Sequence, residues 1–320
     1  MKAICVDQFG PPEVMKLRQV PDLSAGPGQI VVAVKAAGVN PVDTYIREGW
    51  YPIKMNLPYT PGFDAAGVVV QTGQGVTGFQ PGDRVFVSGS LTGTYAEQVL
   101  CTSEQVFRLP EQISFSQGAA LGTPYGTACQ ALLGRAKAQF GQTVLVHGAS
   151  GGVGIAAVQL AAAAGLTVFA TAGTDKGRRL VRQQGARHVL DHHDAGHFEA
   201  VKQLTGGRGV DIILEMLANV NLDGDLDALA PHGTVVVIGS RGRIEIDPRK
   251  TMSRDLNILG MSLMNADAKQ RAVIYGRIQA GLEAGHLHPV IGQELPLEQA
   301  PEAHRQVMEA AHYGKIVLIP

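Results

Sequence analysis

The stretch TVLVHGASGGVG, Thr143 to Gly154, decides how this chain is read. It opens with Val144, Leu145 and Val146, apolar β-rich residues suited to a strand buried on both faces. It turns through glycine and small residues, then continues as IAAVQLAAAAG, an Ala-rich helical run that stops at Gly165. Strand, glycine turn and helix form the setting in which a glycine fingerprint points to a dinucleotide. A helix N-terminus presents N–H groups without intrahelical partners and partial positive charge, which suits a phosphate. Gly151 and Gly152 would let backbone and pyrophosphate approach, and Gly154 would let the helix pack against the strand. The frame departs from G-x-G-x-x-G at Ala149, so the spacing reads Gly148, Gly151, Gly154. A tight turn that binds nothing is the plain alternative; the flanking strand and helix weigh against it.

The next strand, TVFATAG from Thr167 to Gly173, bears on the choice of cofactor. An NAD site carries Asp or Glu at this strand's end, about 20 residues past the turn, to hold the ribose 2′-OH. Here the end is Ala172 and Gly173, which leaves room for a 2′-phosphate, and Lys176, Arg178 and Arg179 lie just beyond. Asp175 complicates the reading, since it would take the acidic role if the strand ended later. NADP(H) is expected over NAD(H).

Composition sets outer bounds. At 320 residues the chain suggests about two domains of roughly 150 residues each. Hydrophobic residues at 45% supply real cores, and a net charge of −1 offers no pull toward nucleic acid or anionic membrane. Cys5, Cys101 and Cys129 are an odd, widely spaced set, which disfavours a disulfide framework and metal-ligand spacing. The N-terminus MKAICVDQFG does not read as a leader, and no apolar run reaches the roughly 18 residues of a membrane span. A cytoplasmic protein is expected.

Residues 1 to about 110 read as short strands punctuated by Gly and Pro: Ala3–Val6, Met15–Val20, Ile30–Ala37, Ala65–Thr72, Arg84–Val87, Tyr95–Leu100 and Val106–Leu109. The segment from Asn40 to Gly62 is too rich in Pro and aromatics for one regular element and suits a site wall. Ser114–Ala136 is helical with an interruption at Pro124. From Thr143 strands alternate with helices: Val144–His147, Val168–Thr171, His188–Leu190, Asp211–Glu215, Thr234–Ile238 and Ile258–Leu263. This rhythm predicts an α/β fold with a doubly wound parallel sheet. A long helix over Ala266–Leu287, a segment Pro289–Leu295, a helix about Glu298–Ala311 and a strand Lys315–Ile319 complete the chain and could return to the first domain.

GVNPVDTY, PYTPGFDAAGVV, GDRVF, VLVHGASGGVG, EMLANVNL, IGSRGRIEI and GKIVL together resemble the zeta-crystallin-like quinone oxidoreductases, the zinc-free branch of the medium-chain dehydrogenase/reductase superfamily. The resemblance covers essentially the whole chain. It implies a GroES-like catalytic domain over 1–120, with 266–320 returning to it, and a Rossmann NADP-binding domain over 121–265. It also implies NADPH, quinone reduction, and homodimers or homotetramers.

By the same resemblance Ser150, Gly151, Gly152 and Val153 contact the cofactor, and Gly173 lies beside the 2′-phosphate. His192 falls on the adenine-side loop. Asn221, Ile238, Gly239, Ser240 and Arg241 match further contacts, and Met261, Ser262 and Leu263 match the strand near the nicotinamide. Tyr45 resembles a family tyrosine in the cleft, with Asn40 at the start of its segment. Plain alternatives stand beside these: Asn221 as a helix cap, Tyr45 as a packed aromatic, Arg241 as an exposed strand exit. Zinc alcohol dehydrogenases of the superfamily place Cys where this chain has Asn40, and His–Glu where it has Phe63–Asp64, so no metal is expected. The histidine cluster His192, His193, Asp194 and His197, on a predicted loop, is not taken as a metal site.

Without a Lewis acid, hydride transfer needs an electron-poor acceptor, a quinone (ortho-quinones favoured) or an α,β-unsaturated carbonyl. Tyr45 O–H or Asn40 N–H would stabilise the oxygen that becomes negative. An alkenal or enoyl-thioester reductase shares this fold and cofactor, and the loop Gly49–Asn56 does not separate the two. A non-enzymatic, RNA-binding role is the third reading, disfavoured by near-neutral charge. The strand Ile258–Met264 is apolar enough to pair across a two-fold axis.

Overall fold

The computed structural model describes residues 1–52, 55–309 and 313–320. Two positions of the loop Gly49–Asn56 and the expected helix end at Ala311 lie outside the described residues. The chain divides into two compact units: residues 1–123 with 275–283 and 288–320, and residues 124–274 with 284–287.

In the first unit β1 (Lys2–Val6) pairs antiparallel with β2 (Met15–Gln19). The long β3 (Gln29–Gly38) follows, then α1 (Pro41–Arg47), β4 (Asp64–Thr72), β5 (Arg84–Ser88), β6 (Gln98–Thr102), β7 (Val106–Arg108) and α2 (Phe115–Gly118). β6 sits later than expected because β3 pairs with it from Gln29↔Thr102 to Ala33↔Gln98. The preceding Tyr95 and Ala96 turn to β1 instead, through Ile4 N–H to Tyr95 O and an Ala3↔Ala96 bridge.

The second unit contains α3 (Gly126–Cys129), β8 (Thr143–Val146), α4 (Gly152–Ala163), β9 (Thr167–Thr171), α5 (Asp175–Gln183) and β10 (His188–Leu190). It continues through α6 (His197–Leu204), β11 (Val210–Glu215), α7 (Ala218–Ala228), β12 (Leu229–Val237), α8 (Arg249–Met252) and β13 (Asn257–Gly260). The interruption expected at Pro124 is a π turn over Leu121–Tyr125, since proline offers no N–H to the regular ladder. His197 belongs to the start of α6, where a loop was expected.

Six parallel strands lie in the order β10-β9-β8-β11-β12-β13. The order reverses between β8 and β11, and the carboxyl ends of strands at such a reversal form the ligand crevice of doubly wound sheets. Val144, Leu145 and Val146 are buried, and Leu145, Phe169, Ile213 and Val235 share one core cluster. β13 ends at Gly260, three residues before the expected Leu263, because its partner ends at Val237↔Gly260.

Four elements follow: α9 (Ala268–Glu283), β14 (Ile291–Pro296), α10 (Ala300–Gln306) and β15 (Lys315–Ile319). β14 and β15 join the first unit's sheet, in the order β14-β15-β3-β4-β5-β7 with β6 on β3. Leu295, Leu297, Ala303, Ile316 and Leu318 pack into the core built by Ile4, Val32, Val85 and Tyr95. Among the described residues no helix is long and apolar enough to cross a membrane.

Candidate active site

The turn after β8 is built to bring backbone, not side chains, to the sheet's carboxyl edge. Gly148 has φ +57°, a conformation that favours glycine. Its N–H donates to Thr171 Oγ1 at 3.2 Å and the Ala149 N–H donates to Thr171 O at 2.8 Å, which fixes the turn to β9. Gly151 is the N-cap of α4 and offers no side chain to close the helix end. A Cβ on Gly154 would lie 2.5 Å from Ala149 Cα and Gly148 O, so this glycine is required by packing. A Cβ on Gly151 would meet nothing closer than Gly148 O at 3.6 Å. The chain's own packing therefore leaves room for a side chain at Gly151 that its sequence does not supply. Gly152 and Val153 form the first turn of α4, and a Cβ on Gly177 would come within 3.2 Å of Ser150 Cβ.

At the tip of β9, a Cβ on Gly173 would stand 2.6 Å from the Nε2 atoms of both His192 and His193, so the fold brings Gly173 and His192 together. Burial and the neighbouring His193 push the His192 imidazole below its ordinary range. Lys176 is exposed in the first turn of α5. The strand ends at Thr171, before Asp175, which opens α5 and pairs with Arg178. Arg178 also donates to Asp191 at 2.6 Å and to Ala172 O at 3.2 Å. That arginine lies just beyond the strand end as expected, with its guanidinium committed to two carboxylates.

Around β11 and β12, Asn221 lies inside α7, whose N-cap is Leu217, so it is not a cap. Its amide donates to Glu215 Oε1 at 3.2 Å. Ile238 and Gly239 N–H groups donate to Glu215 O, and a Cβ on Gly239 would meet Met216 O at 2.4 Å. Ser240 and Arg241 are exposed, and the Arg241 backbone N–H donates to Asn219 Oδ1 at 2.7 Å. Met261 N–H donates to Val237 O just past β13; Ser262 and Leu263 lie at the start of a 3₁₀ turn and not on the strand.

Tyr45 and Asn40 belong to the first unit. Asn40 is the N-cap of α1, and Tyr45 is half-buried on it. Asn40 itself is buried: its Nδ2 donates to Asp64 Oδ2 at 2.8 Å, and its Oδ1 accepts from Lys315 Nζ at 2.5 Å. Lys315 Nζ also lies 3.1 Å from Asp64 Oδ2, while Asp64 Oδ1 accepts from Thr123 N–H and Oγ1, both at 2.7 Å. The amide expected to face substrate is thus committed to a buried cluster. Behind α1, Asp43 Oδ2 accepts from Asn40 N–H at 2.8 Å and Tyr95 O–H at 3.0 Å. Arg47 Nη1 donates to His304 Nδ1 at 3.0 Å, which leaves His304 Nε2 to donate to the Tyr95 hydroxyl oxygen, Oη, at 3.1 Å. Burial, with the Arg47 charge adding to it, drives His304 down to about 3, and burial raises Asp43 to about 7. A cavity of about 680 Å³ in this unit is lined by Asp43, Ile46, Tyr59, Phe63 and Leu91; Tyr45 is not among its lining residues.

Sequence reasoning named Asp64 only as a position without a zinc ligand, and missed Lys315, Asp43 and His304, and also a buried group of His147, Glu215 and Asp225 in the second unit. The last had a faint signal: His147 and Glu215 occupy the carboxyl ends of β8 and β11, beside the reversal of strand order.

Comparison with known proteins fits both units. The alcohol dehydrogenase GroES-like domain family matches residues 26–111, and the zinc-binding dehydrogenase family matches residues 152–274. A GroES-like β-rich domain with a six-stranded Rossmann sheet defines the medium-chain dehydrogenase/reductase class. Quinone oxidoreductase from Rattus norvegicus is 48% identical over 100% of this chain and 98% of its own length. The chain belongs to the quinone oxidoreductase family of that class, and it is an oxidoreductase. Among solved structures, Escherichia coli quinone oxidoreductase complexed with NADPH is 28% identical, with TM-score 0.90 and full coverage of both chains. An NAD-dependent alcohol dehydrogenase is 31% identical with TM-score 0.93, again with full coverage of both.

Proposed function

We propose that this protein is an NADPH-dependent quinone reductase that works without zinc and favours ortho-quinones. The observation that carries the reading is the uncapped N-terminus of α4 at Gly151, where the fold tolerates a Cβ but the sequence supplies none, at the reversal of strand order. The NADPH complex of the Escherichia coli relative supports the same cofactor. Ser150, Gly151, Gly152 and Val153 would hold the pyrophosphate. Gly173, Lys176 and His192 would border the 2′-phosphate and adenine, and Asn221, Ile238, Gly239, Ser240, Arg241, Met261, Ser262 and Leu263 the remainder. NADPH supplies the hydride when bound; the chain supplies position and exclusion of water. On the resemblance the functional domains would run 1–120 with 266–320, and 121–265; the compact units instead keep 121–123 with the first and 266–274 and 284–287 with the second.

Zinc independence is supported by what stands at Asn40, Phe63 and Asp64. Phe63 offers no donor, and the Asp64 carboxylate and Asn40 amide already hold the Lys315 ammonium. A buried cation bonded to both side chains leaves no donor set for a second one. Asn40 accordingly acts by fixing the start of α1, and Tyr45 is the donor to the oxygen that gains charge. Tyr45→Phe is expected to lower kcat by less than about 100-fold, below the range of an obligatory proton donor. Steady-state rates of a folded variant check this, and a complete loss would make Tyr45 an essential acid.

A homodimer is supported by β13, an edge strand on which Ile258 is 38% exposed. The buried free thiols Cys5, Cys101 and Cys129 are consistent with a cytoplasmic setting. Initial rates with an ortho-quinone, a para-quinone and an enoyl-CoA test the substrate assignment. Turnover confined to quinones, fastest with the ortho isomer, is expected; turnover confined to enoyl-CoA would move the protein to the enoyl-thioester reductases.

A further inference from the structure

Three titratable side chains of the second unit meet at one point. His147 follows β8 and immediately precedes the glycine turn, Glu215 ends β11, and Asp225 lies on α7. His147 Nε2 stands 2.8 Å from Asp225 Oδ1 and 3.6 Å from Glu215 Oε2, and all three side chains are buried. Among the described residues no Lys or Arg pairs with either carboxylate, and their one titratable partner of opposite type is His147, charged only when protonated. Glu215 Oε2 and Asp225 Oδ2 find no other donor there, so a proton between the two carboxyls is the hydrogen bond open to them. The other groups packed on the imidazole are Thr171 Oγ1 from β9, 3.4 Å from its Nδ1, and the His197 and Phe198 rings from α6. His197 Nδ1 is bound to Asp194 O at 2.7 Å. His192, on the loop after β10, is near enough for its charge to couple to His147.

Two buried carboxylates facing one imidazole, with no Lys or Arg among those partners, are costly as two negative charges. Burial raises both carboxyls to about 7 and pushes His147 down. The group therefore keeps, near neutrality, a proton that free carboxylates would have lost.

Glu215 is also a tie between loops. Its Oε1 accepts from Leu217 N–H and Asn221 Nδ2, and its backbone O accepts from Ile238 N–H at 2.9 Å and Gly239 N–H at 3.2 Å. Thr171 Oγ1, which meets His147, accepts from Gly148 N–H at 3.2 Å. The glycine turn, the 217–221 segment and the 238–239 segment all connect to this group.

We infer that Glu215, through a proton shared with Asp225 against His147, is a positioning residue that holds these three segments in register for the cofactor and makes cofactor affinity depend on pH. The inference rests on the NADPH reading of this edge. Loss of the proton places two repelling charges behind a phosphate-binding surface, so binding weakens as pH rises past neutrality. The donor set also resembles a divalent-ion site; the 2.8 Å His147–Asp225 contact has the length of a hydrogen bond, and added Zn²⁺ separates the two readings in the test.

The test is the NADPH Kd by fluorescence titration over about pH 6–9, where a group near 7 changes charge. Wild type is compared with E215Q, which keeps the Oε1 acceptor and cannot ionise. Comparing the two cancels the titration of the cofactor's own 2′-phosphate. The wild-type Kd is expected to rise about ten-fold more than that of E215Q across the range. Parallel curves would overturn the inference. So would tightening of the wild type at high pH by added Zn²⁺ that E215Q does not show, which would make the group a metal site. If the wild type binds no NADPH at any pH, the cofactor reading fails, and unfolding midpoints against pH then judge the shared proton by itself. A folded carboxyl raised above its unfolded value loses stability as pH rises through the raised value. Wild type should therefore lose stability from about pH 5 to 8 in a way E215Q does not, and matched pH profiles would remove the shared proton.

Discussion

Asp64→Ala is expected to lower the unfolding free energy by about 3–5 kcal/mol, the usual effect of removing one partner from a buried ion pair. Asp64 is fully buried, and its two oxygens together accept from Thr123 N–H, Thr123 Oγ1, Asn40 Nδ2 and Lys315 Nζ. Alanine leaves the Lys315 ammonium buried, with only Asn40 Oδ1 of its two partners. It also frees the Asn40 amide that begins α1, so Tyr45 loses its anchor and turnover falls with stability. Asp64→Asn keeps the shape and loses the charge, and should fall between the two. Denaturant unfolding of the three proteins checks the order; a loss under about 1 kcal/mol for alanine would show the cluster to behave like a surface pair.

Gly151→Ala and Gly154→Ala should separate ligand from packing. At Gly154 the new methyl meets backbone at 2.5 Å, which cannot yield as a flexible side chain would. The expected cost is about 1–3 kcal/mol, even against the helix preference of alanine, and NADPH binding is lost with the turn's geometry. At Gly151 the methyl finds ordinary contact at 3.6 Å, so stability should stay within about 0.5 kcal/mol of wild type. The same methyl projects where a phosphate would approach, and the NADPH Kd should rise at least about ten-fold, or ~1.4 kcal/mol. Unfolding curves and cofactor titrations on both variants measure this. A Gly151→Ala variant that binds normally would mean that the turn holds no pyrophosphate.

Local signals carried most of what was legible in the sequence. β8 and α4 could be read because Val144–Val146 are buried on both faces and the glycines mark the turn between them. β13 is shorter than its apolar run suggests, because pairing stops when the neighbour β12 stops at Val237. The motif around Asn40 marks its position but not its partners. Lys315 lies 251 residues from Asp64, and His147 lies 78 residues from Asp225. No periodicity links residues that meet only when distant strands and helices pack together. The basic residues after β9 were legible as types; that Arg178 is held by Asp175 and Asp191 depends on how α5 and the loop after β10 pack.

The most direct test of the central claim is cofactor oxidation followed by absorbance, with an ortho-quinone as acceptor and a strong chelator present, comparing NADPH with NADH. Fast, chelator-insensitive loss of NADPH and slow loss of NADH is the predicted result. Equal rates with both cofactors, or activity abolished by the chelator and restored by zinc, would contradict it.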